Sequence, residues 1–168
     1  KNTKAIGFNN IELITDRPLE VNFAEIYETK KKYPKNAVIA SLMVETKEQW
    51  QDIIKRFIDA GALDVIQPDI YWAGGITETV KIATYASIHD LQCIPHGHSS
   101  QANAHFSCAM VPTLTPIQEY LVKWNTVHQF FLKDPIVPQD GIVHVSLEPG
   151  MGMELDPDKV ESEELLEF

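Results

Sequence analysis

The order of apolar segments in this 168-residue chain predicts an α/β fold built on a parallel sheet. Short apolar runs typical of strands alternate with longer stretches in which apolar residues recur at helical spacing. Residues 37–44 are almost continuously apolar, as expected for a parallel strand covered on both faces. The predicted strands number about five, too few to close the usual eight-stranded barrel, so the sheet is either open and doubly wound or part of a (β/α) barrel.

Strands and helices are predicted in alternation along the chain. The strands fall at residues 11–15, 37–44, 63–67, 91–95 and 119–122. The helices fall at residues 22–33, 46–60, 76–89 and 101–110. Asn22 and Thr46 are candidate N-terminal caps, each with a Glu or Gln three residues later, and Gly61 is suited to a left-handed C-terminal cap. Beyond residue 124, prolines and glycines divide the chain into turns and short extended pieces.

Composition and charge argue against several classes of protein. Lys and Arg number 14 against 24 Asp and Glu, a net charge of −10, which argues against a nucleic-acid or anionic-membrane surface. No apolar run approaches the ~20 residues that span a bilayer, and the N-terminus lacks the apolar core of a signal peptide. The two cysteines, Cys93 and Cys108, are too few for a disulfide scaffold, so we expect a cytoplasmic protein with reduced thiols.

Polar residues with catalytic potential follow the predicted strands. In βα architectures the functional residues lie at the carboxyl ends of strands. Asp69 ends the third strand, His96 ends the fourth and Glu119 begins the fifth. Neighbouring parallel strands lie about 4.8 Å apart, so the side chains of Asp69 and His96 are able to touch. An aspartate that holds an imidazole in one tautomer makes it a competent general base, although either side chain would also serve as a helix cap.

Three histidines raise the alternative of a metal site. His96 and His98 share a face if they lie on a strand, and His105 follows a few residues later. No Cys or carboxylate stands at a matching spacing, so the metal site is the weaker alternative. Gly74 and Gly75 lack the neighbouring lysine and the glycine spacing of a phosphate-binding loop, and a turn is predicted there.

Four stretches of the chain form a specific pattern. They are DVIQPDIYWAGGITE at residues 64–78, IPHGH at 94–98, EYL at 119–121 and PGMGMEL at 149–155. In this order they resemble the acid-sugar dehydratases of the enolase superfamily, in the mandelate racemase and rhamnonate dehydratase group. The resemblance implies a partial (β/α) TIM-type barrel, with residues 63–124 as a half-barrel. Residues 125–168 would be a return segment rich in Pro and Gly, with an acidic tail.

The same resemblance implies roles for three residues. Asp69 and His96 would form the general-base dyad that removes the α-proton of a carboxylate substrate, and Glu119 would stabilise the enediolate or assist the leaving group. A small acid sugar is the implied substrate, and Mg²⁺ is the implied cofactor. The family's metal ligands lie on three earlier strands, which this chain lacks or replaces. Other available carboxylates, outside the family motif, are Asp16, Glu45 and Asp64. We therefore predict a dyad that is catalytically incomplete.

Residues 1–62 resemble a different family. The stretches GFNNIELITDRPLEV at 7–21 and VIASLMVE at 38–45 resemble the flavin barrel of bacterial NAD-dependent dihydropyrimidine dehydrogenase. That resemblance implies FMN as the cofactor and Asn10 as a pyrimidine contact, but the expected catalytic cysteine loop is replaced by the motif Gln-Pro-Asp at 67–69. The change falls at residues 59–62, so the sequence predicts a chimera of two incomplete barrels, with an FMN-dependent fragment as the alternative function.

A non-catalytic role is the third alternative. An incomplete barrel exposes two sheet edges, which pair readily with another chain. Two copies that close against each other would bury those edges, so a homo-oligomer is expected. The chain would then act as an oligomerising scaffold, and neither a nucleic-acid nor a membrane partner is expected.

Overall fold

Helices and strands alternate along most of the chain. The computed structural model describes residues 18–36, 38–41, 47–59, 61, 63–98 and 100–165. The helices are α1 (Leu19–Lys32), α2 (Lys47–Asp59), α3 (Gly75–Ser87), α4 (Ser100–Ala109) and the single turn α5 (Asn125–His128). The strands are β1 (Ile39–Ser41), β2 (Val65–Gln67) and β3 (Gln92–Cys93). This alternation is that of an α/β protein.

The three strands form one parallel sheet in the order β1-β2-β3. In the register of this sheet, Val65 of β2 lies between Ile39 of β1 and Gln92 of β3. Parallel neighbours need a crossover connection, and α2 and α3 supply the two crossovers. The carboxyl ends of β2 and β3 therefore lie side by side at one edge of the sheet.

The core lies between the sheet and its helices. Phe57 of α2 is 1% exposed, and its ring centroid lies 4.3 Å from that of Phe23 in α1. On α3 the small side chains of Ala83 and Ala86 are fully buried, which allows the helix backbone to approach its neighbours closely. Cys93 of β3 joins the same core, and burial raises the pKa of its thiol to about 12. That thiol therefore stays protonated at neutral pH.

Most of the predicted helices are confirmed. The predictions at 46–60, 76–89 and 101–110 correspond to α2, α3 and α4. Gly61 has a φ of +56°, the left-handed conformation expected just after α2. The predicted cap at Asn22 is wrong, because α1 begins at Leu19 after Pro18 and Asn22 lies inside the helix. Thr46 and the predicted strand at 11–15 lie outside the described residues.

The predicted fifth strand at 119–122 is wrong. That segment is irregular and runs into a turn at 122–124. One backbone bond does form beside β3, from the N–H of Cys93 to the carbonyl of Leu114 at 2.8 Å. Pro116, two residues after Leu114, stands where the next N–H of a parallel ladder is needed and has none to donate, which interrupts a regular ladder at this point. The described residues thus contain three of the five predicted strands.

The predicted turns and short extended pieces beyond residue 124 are confirmed. An isolated antiparallel bridge joins Leu132 to Leu155, and the 3-10 turn Pro157–Lys159 follows it. No helix in the described part of the chain combines the length and the apolar composition needed to cross a membrane.

We expect Phe57→Ala to lower the free energy of unfolding by about 3–5 kcal/mol, because it removes a fully buried ring and leaves a cavity in the core. Urea denaturation followed by circular dichroism measures the change. Ile88→Ala, at a side chain that is 69% exposed, is the matched control and should change it by less than about 0.5 kcal/mol. Equal effects of the two substitutions would contradict the core described above.

Candidate active site

The pairing of β2 with β3 continues past both strands and brings Asp69 and His96 together. Every second N–H from residue 92 to residue 96 donates to a carbonyl of the neighbouring segment. The bonds are Gln92 to Asp64 at 3.1 Å, Ile94 to Ile66 at 2.9 Å and His96 to Pro68 at 2.9 Å. This evenly spaced pattern is that of a parallel ladder. It sets the backbone of His96 directly beside the residue that precedes Asp69.

The carboxylate of Asp69 accepts from both backbone and side-chain donors. Its Oδ1 accepts the N–H of Tyr71 at 2.9 Å and that of Trp72 at 3.3 Å. Its Oδ2 lies 3.0 Å from Nδ1 of His98 and 3.5 Å from Nδ1 of His96. A carboxylate only accepts hydrogen bonds, so the imidazole nitrogens that face it carry their protons. The structure thus brings together the predicted pair Asp69 and His96, with His98 as the nearer imidazole.

Burial and hydrogen bonding oppose each other at Asp69. The side chains of Asp69, His96 and His98 are only 14%, 16% and 20% exposed. Burial disfavours the carboxylate, but hydrogen bonds from His96 and His98 outweigh it and hold the pKa of Asp69 below its ordinary value. Asp69 is therefore ionised at neutral pH. Burial and this nearby charge raise the pKa of the Tyr71 hydroxyl.

A second imidazole pair extends from this carboxylate. Nε2 of His98 lies 3.0 Å from Nδ1 of His128, which belongs to α5. The two ring centroids are 4.0 Å apart and the rings meet edge to face. Burial, together with the neighbouring His98, lowers the pKa of His128. Asp69, His98 and His128 therefore form a continuous hydrogen-bonded row, which we call the imidazole row.

Two buried asparagines hold the backbone of the loop that carries the histidines. Nδ2 of Asn103 in α4 donates to the carbonyl of His96 at 2.6 Å. Nδ2 of Asn125 in α5 donates to the carbonyl of Gly97 at 3.1 Å. Both asparagine side chains are almost completely buried. Because buried polar groups are costly without partners, these two bonds fix the loop in one position.

Glu119 reaches the same loop although it does not lie on a strand. Its Oε2 accepts the N–H of Gly97 at 2.7 Å. A Cβ on Gly97 would lie 2.9 Å from both the backbone carbon and the carbonyl oxygen of Glu119, closer than a side chain tolerates. Glycine is thus required at this position. The predicted residue Glu119 is brought next to the dyad by a side-chain bond instead of a ladder.

The other candidate ligands are used differently. Asp64 forms an ion pair with Lys30 at 2.5 Å and accepts the N–H of Val38 at 2.8 Å, so its role is structural. His105 lines a separate cavity of about 890 Å³ between α4 and the C-terminal segment. Among the described residues, no three or more His, Cys, Asp or Glu side chains are grouped to hold a metal ion. Asn10, Asp16 and Glu45 lie outside those residues.

Sequence reasoning missed the link between Asp69 and the second histidine pair. The spacing His-Gly-His at 96–98 was a usable signal, because a turn at the central glycine can direct both imidazoles to one carboxylate. No local pattern pointed to His128, which reaches His98 only through the position of α5.

Comparisons with known proteins agree on one family. Residues 34–159 match the family model described as enolase C-terminal domain-like. A protein of Caldivirga maquilingensis that is provisionally named an L-rhamnonate dehydratase is 41% identical over 107 residues, covering 60% of this chain and 26% of its own length. The D-galactarolactone cycloisomerase of Agrobacterium fabrum is 34% identical over 111 residues, again covering 60% of this chain and 29% of its own length. The chain thus spans between a quarter and a third of the length of these curated relatives.

A solved structure shows the same fold. The crystal structure of a member of the enolase superfamily from Salmonella Typhimurium superposes with a TM-score of 0.65 at 25% identity. The match covers 82% of this chain and 35% of the other. The resemblance to enolase-superfamily proteins is therefore confirmed, including the α/β architecture of a TIM-barrel-like domain.

The flavin-barrel resemblance gains no support from these comparisons. The family match begins at residue 34, well before the predicted change at 59–62. Residues 34–58, which the sequence pattern assigned to a flavin barrel, thus lie inside the enolase-type match. FMN as a cofactor and the chimeric origin of the chain are likewise unsupported.

The lowered pKa of Asp69 predicts a specific sensitivity to acid. Because its pKa is lower in the folded than in the unfolded chain, the carboxylate stabilises the fold above about pH 4 and loses this effect as the pH falls further. Asp69→Asn should lower the free energy of unfolding by about 1–3 kcal/mol at pH 6 and flatten its fall between pH 5 and 2. Urea unfolding at several pH values measures this. Asp140→Asn, at an exposed turn, is the control, and an unchanged acid slope in Asp69→Asn would contradict the prediction.

Proposed function

The chain belongs to the enolase C-terminal domain-like family, and from that membership we propose that it carries the proton-abstracting part of an acid-sugar dehydratase or racemase site. The observation that supports this proposal is the contact between Asp69 and His96 at the carboxyl ends of two neighbouring parallel strands. Functional residues of βα folds lie at this edge. The relatives named above suggest a small sugar acid as the substrate.

His96 is the general base in this proposal. Nδ1 of His96 faces Oδ2 of Asp69, so its proton lies on Nδ1 and its lone pair on Nε2. Nε2 takes the proton from the carbon next to the substrate carboxylate, which leaves an imidazolium beside the ionised Asp69. The opposite charge of Asp69 stabilises that imidazolium. His98 is less suited to be the base, because both of its ring nitrogens are engaged, by Asp69 and by His128.

Glu119 takes the second role in the proposal. Its carboxylate is anchored by the N–H of Gly97, the residue that follows His96 in the chain. That bond supports a role for Glu119 near the base, where its protonated carboxyl would give a proton to the departing hydroxyl or donate a hydrogen bond to the charge that develops on the substrate. Glu119 and His96 thus occupy one loop region and act on the same substrate.

The residues that the structure describes do not fit a magnesium site. Magnesium takes near-octahedral oxygen ligands, but Asp69 is occupied by backbone and imidazole donors and Asp64 by Lys30. Glu119 is held by a backbone N–H, and no suitable group of ligands is present in the described ranges. Electrostatic stabilisation of the developing charge usually contributes more than a general base does. We therefore propose that this part of the site is catalytically incomplete without further ligands.

The base is testable on a partial reaction that needs no metal. In a 2-keto-3-deoxy sugar acid, the product class of such dehydratases, the carbon that His96 deprotonates in the proposed reaction has become a ketone, and this ketone acidifies the protons of C3, the next carbon along the chain. We expect the 168-residue chain to exchange them with D₂O about 10²-fold faster than buffer does, as general-base catalysis by His96 predicts. Proton NMR of the C3 signals measures the rate.

His96→Asn should reduce this exchange to the buffer rate, because it removes the basic nitrogen while keeping a polar side chain of similar reach. His105→Asn, on α4 outside the dyad, is the matched control and should exchange like the unmodified chain. Exchange that survives in His96→Asn would overturn the assignment of the base.

Catalytic incompleteness predicts the outcome of the complete reaction. Incubation of the chain with Mg²⁺ and a panel of sugar acids should give no α-keto acid above the blank, because no described group of carboxylates is placed to hold the cation that would stabilise the dianionic enediolate. Derivatisation of any α-keto acid with semicarbazide, followed by absorbance, measures the product. Measurable product with any sugar acid would refute the claim that the site lacks its electrostatic component.

A further inference from the structure

We propose that His98 and His128 are positioning residues that fix the orientation of the Asp69 carboxylate toward His96. The expected effect on the rate of proton exchange rests on the proposed function. The arrangement of protons and hydrogen bonds rests on the imidazole row alone. His98 and His128 are 30 residues apart in the sequence, so their contact depends on how the chain folds. Their contact joins the loop after β3 to α5.

The protons of the imidazole row are dictated by its first member. Asp69 is an ionised carboxylate and accepts only, so His98 must carry its proton on Nδ1. A neutral imidazole with a proton on Nδ1 has a lone pair on Nε2. At 3.0 Å, Nδ1 of His128 must then donate to that lone pair, so His128 also carries its proton on Nδ1. One charge therefore sets the tautomers of two rings.

The hydrogen bonds at both oxygens of Asp69 restrict the rotation of its carboxylate. Two backbone N–H groups hold Oδ1, and the N–H of His98 holds Oδ2 from one side. Nδ1 of His96 lies 3.5 Å from Oδ2, farther than Nδ1 of His98, which lies 3.0 Å away. Because a longer hydrogen bond is weaker, His98 does more than His96 to orient the carboxylate. His128 in turn holds the ring of His98 through its otherwise exposed Nε2. Outer partners of this kind typically change activity by about 10–100-fold when removed.

The tautomers are directly observable. In the full 168-residue chain labelled with ¹⁵N, long-range ¹H–¹⁵N correlation spectra at pH 8 distinguish a protonated from an unprotonated ring nitrogen. We expect both His98 and His128 to show the proton on Nδ1. His144, an exposed histidine outside the imidazole row, provides an internal reference, and His144→Gln removes only that signal.

Two substitutions at the exposed His128 separate positioning from folding. His128→Asn keeps an N–H donor near the place of Nδ1, whereas His128→Leu removes it while preserving bulk. The keto-acid exchange rate should fall about 10-fold in His128→Leu and recover to within about 3-fold of the unmodified chain in His128→Asn. Both variants should unfold at the same urea concentration as the unmodified chain, within error.

The outcomes separate this inference from the proposed function. A proton on Nε2 of His98, or a mixture of tautomers at His98 or His128, would overturn the inference whatever the exchange assay shows. Equal exchange rates in His128→Leu and the unmodified chain would overturn it as well. If the unmodified chain exchanges no keto-acid protons, the assignment of His96 as base fails, and the spectra still decide whether the row holds the carboxylate in this way.

Discussion

The backbone ladder between β2 and β3 is the constraint on which the candidate site depends. Its bonds continue one residue past β2 and three residues past β3, and they end with the N–H of His96 on the carbonyl of Pro68. A slip of one residue would turn His96 to the opposite face of the sheet, since side chains alternate along extended backbone. The buried residues Ile66 and Cys93 hold the register, because each points into the apolar core. Packing of the core thus places the polar residues at the edge.

Polar residues inside the molecule support this edge. Helix α4 buries the polar side chains of Ser100, Gln101 and Asn103 together with those of Ala102, Ala104 and Phe106. Asn103 and Asn125 hold the loop at 96–98 through its carbonyls, and Asp69 is held by donors on both oxygens. Such a supporting layer keeps reactive side chains within a fraction of an ångström of their working positions. The amide nitrogens of Gln101, Asn103 and Asn125 are hydrogen bonded, which offsets part of the cost of burial, whereas Ser100 Oγ and the amide oxygens of the two asparagines have no partner in the described residues.

The site as described is asymmetric in its chemistry. The residues that we propose take and orient a proton lie close together around Asp69, whereas carboxylates grouped to hold a divalent cation are not found in the described ranges. The asymmetry agrees with the length of the chain, which spans less than a third of its curated relatives. A general base alone lowers the barrier less than electrostatic stabilisation of the product charge does. In the proposed function, the lack of such ligands among the described residues therefore limits the chemistry more than any residue of the dyad does.

The sequence by itself determined the elements whose signals are local. Helical periodicity located α2, α3 and α4, and the strand ends at Asp69 and His96 followed from the apolar runs before them. Only the tertiary structure decided how Glu119 and His128 join the site. Glu119 reaches Gly97 from an irregular segment, and His128 meets His98 through the placement of α5. Periodicity records which face of an element is buried, whereas contacts between residues about 20 to 30 positions apart depend on how the elements pack.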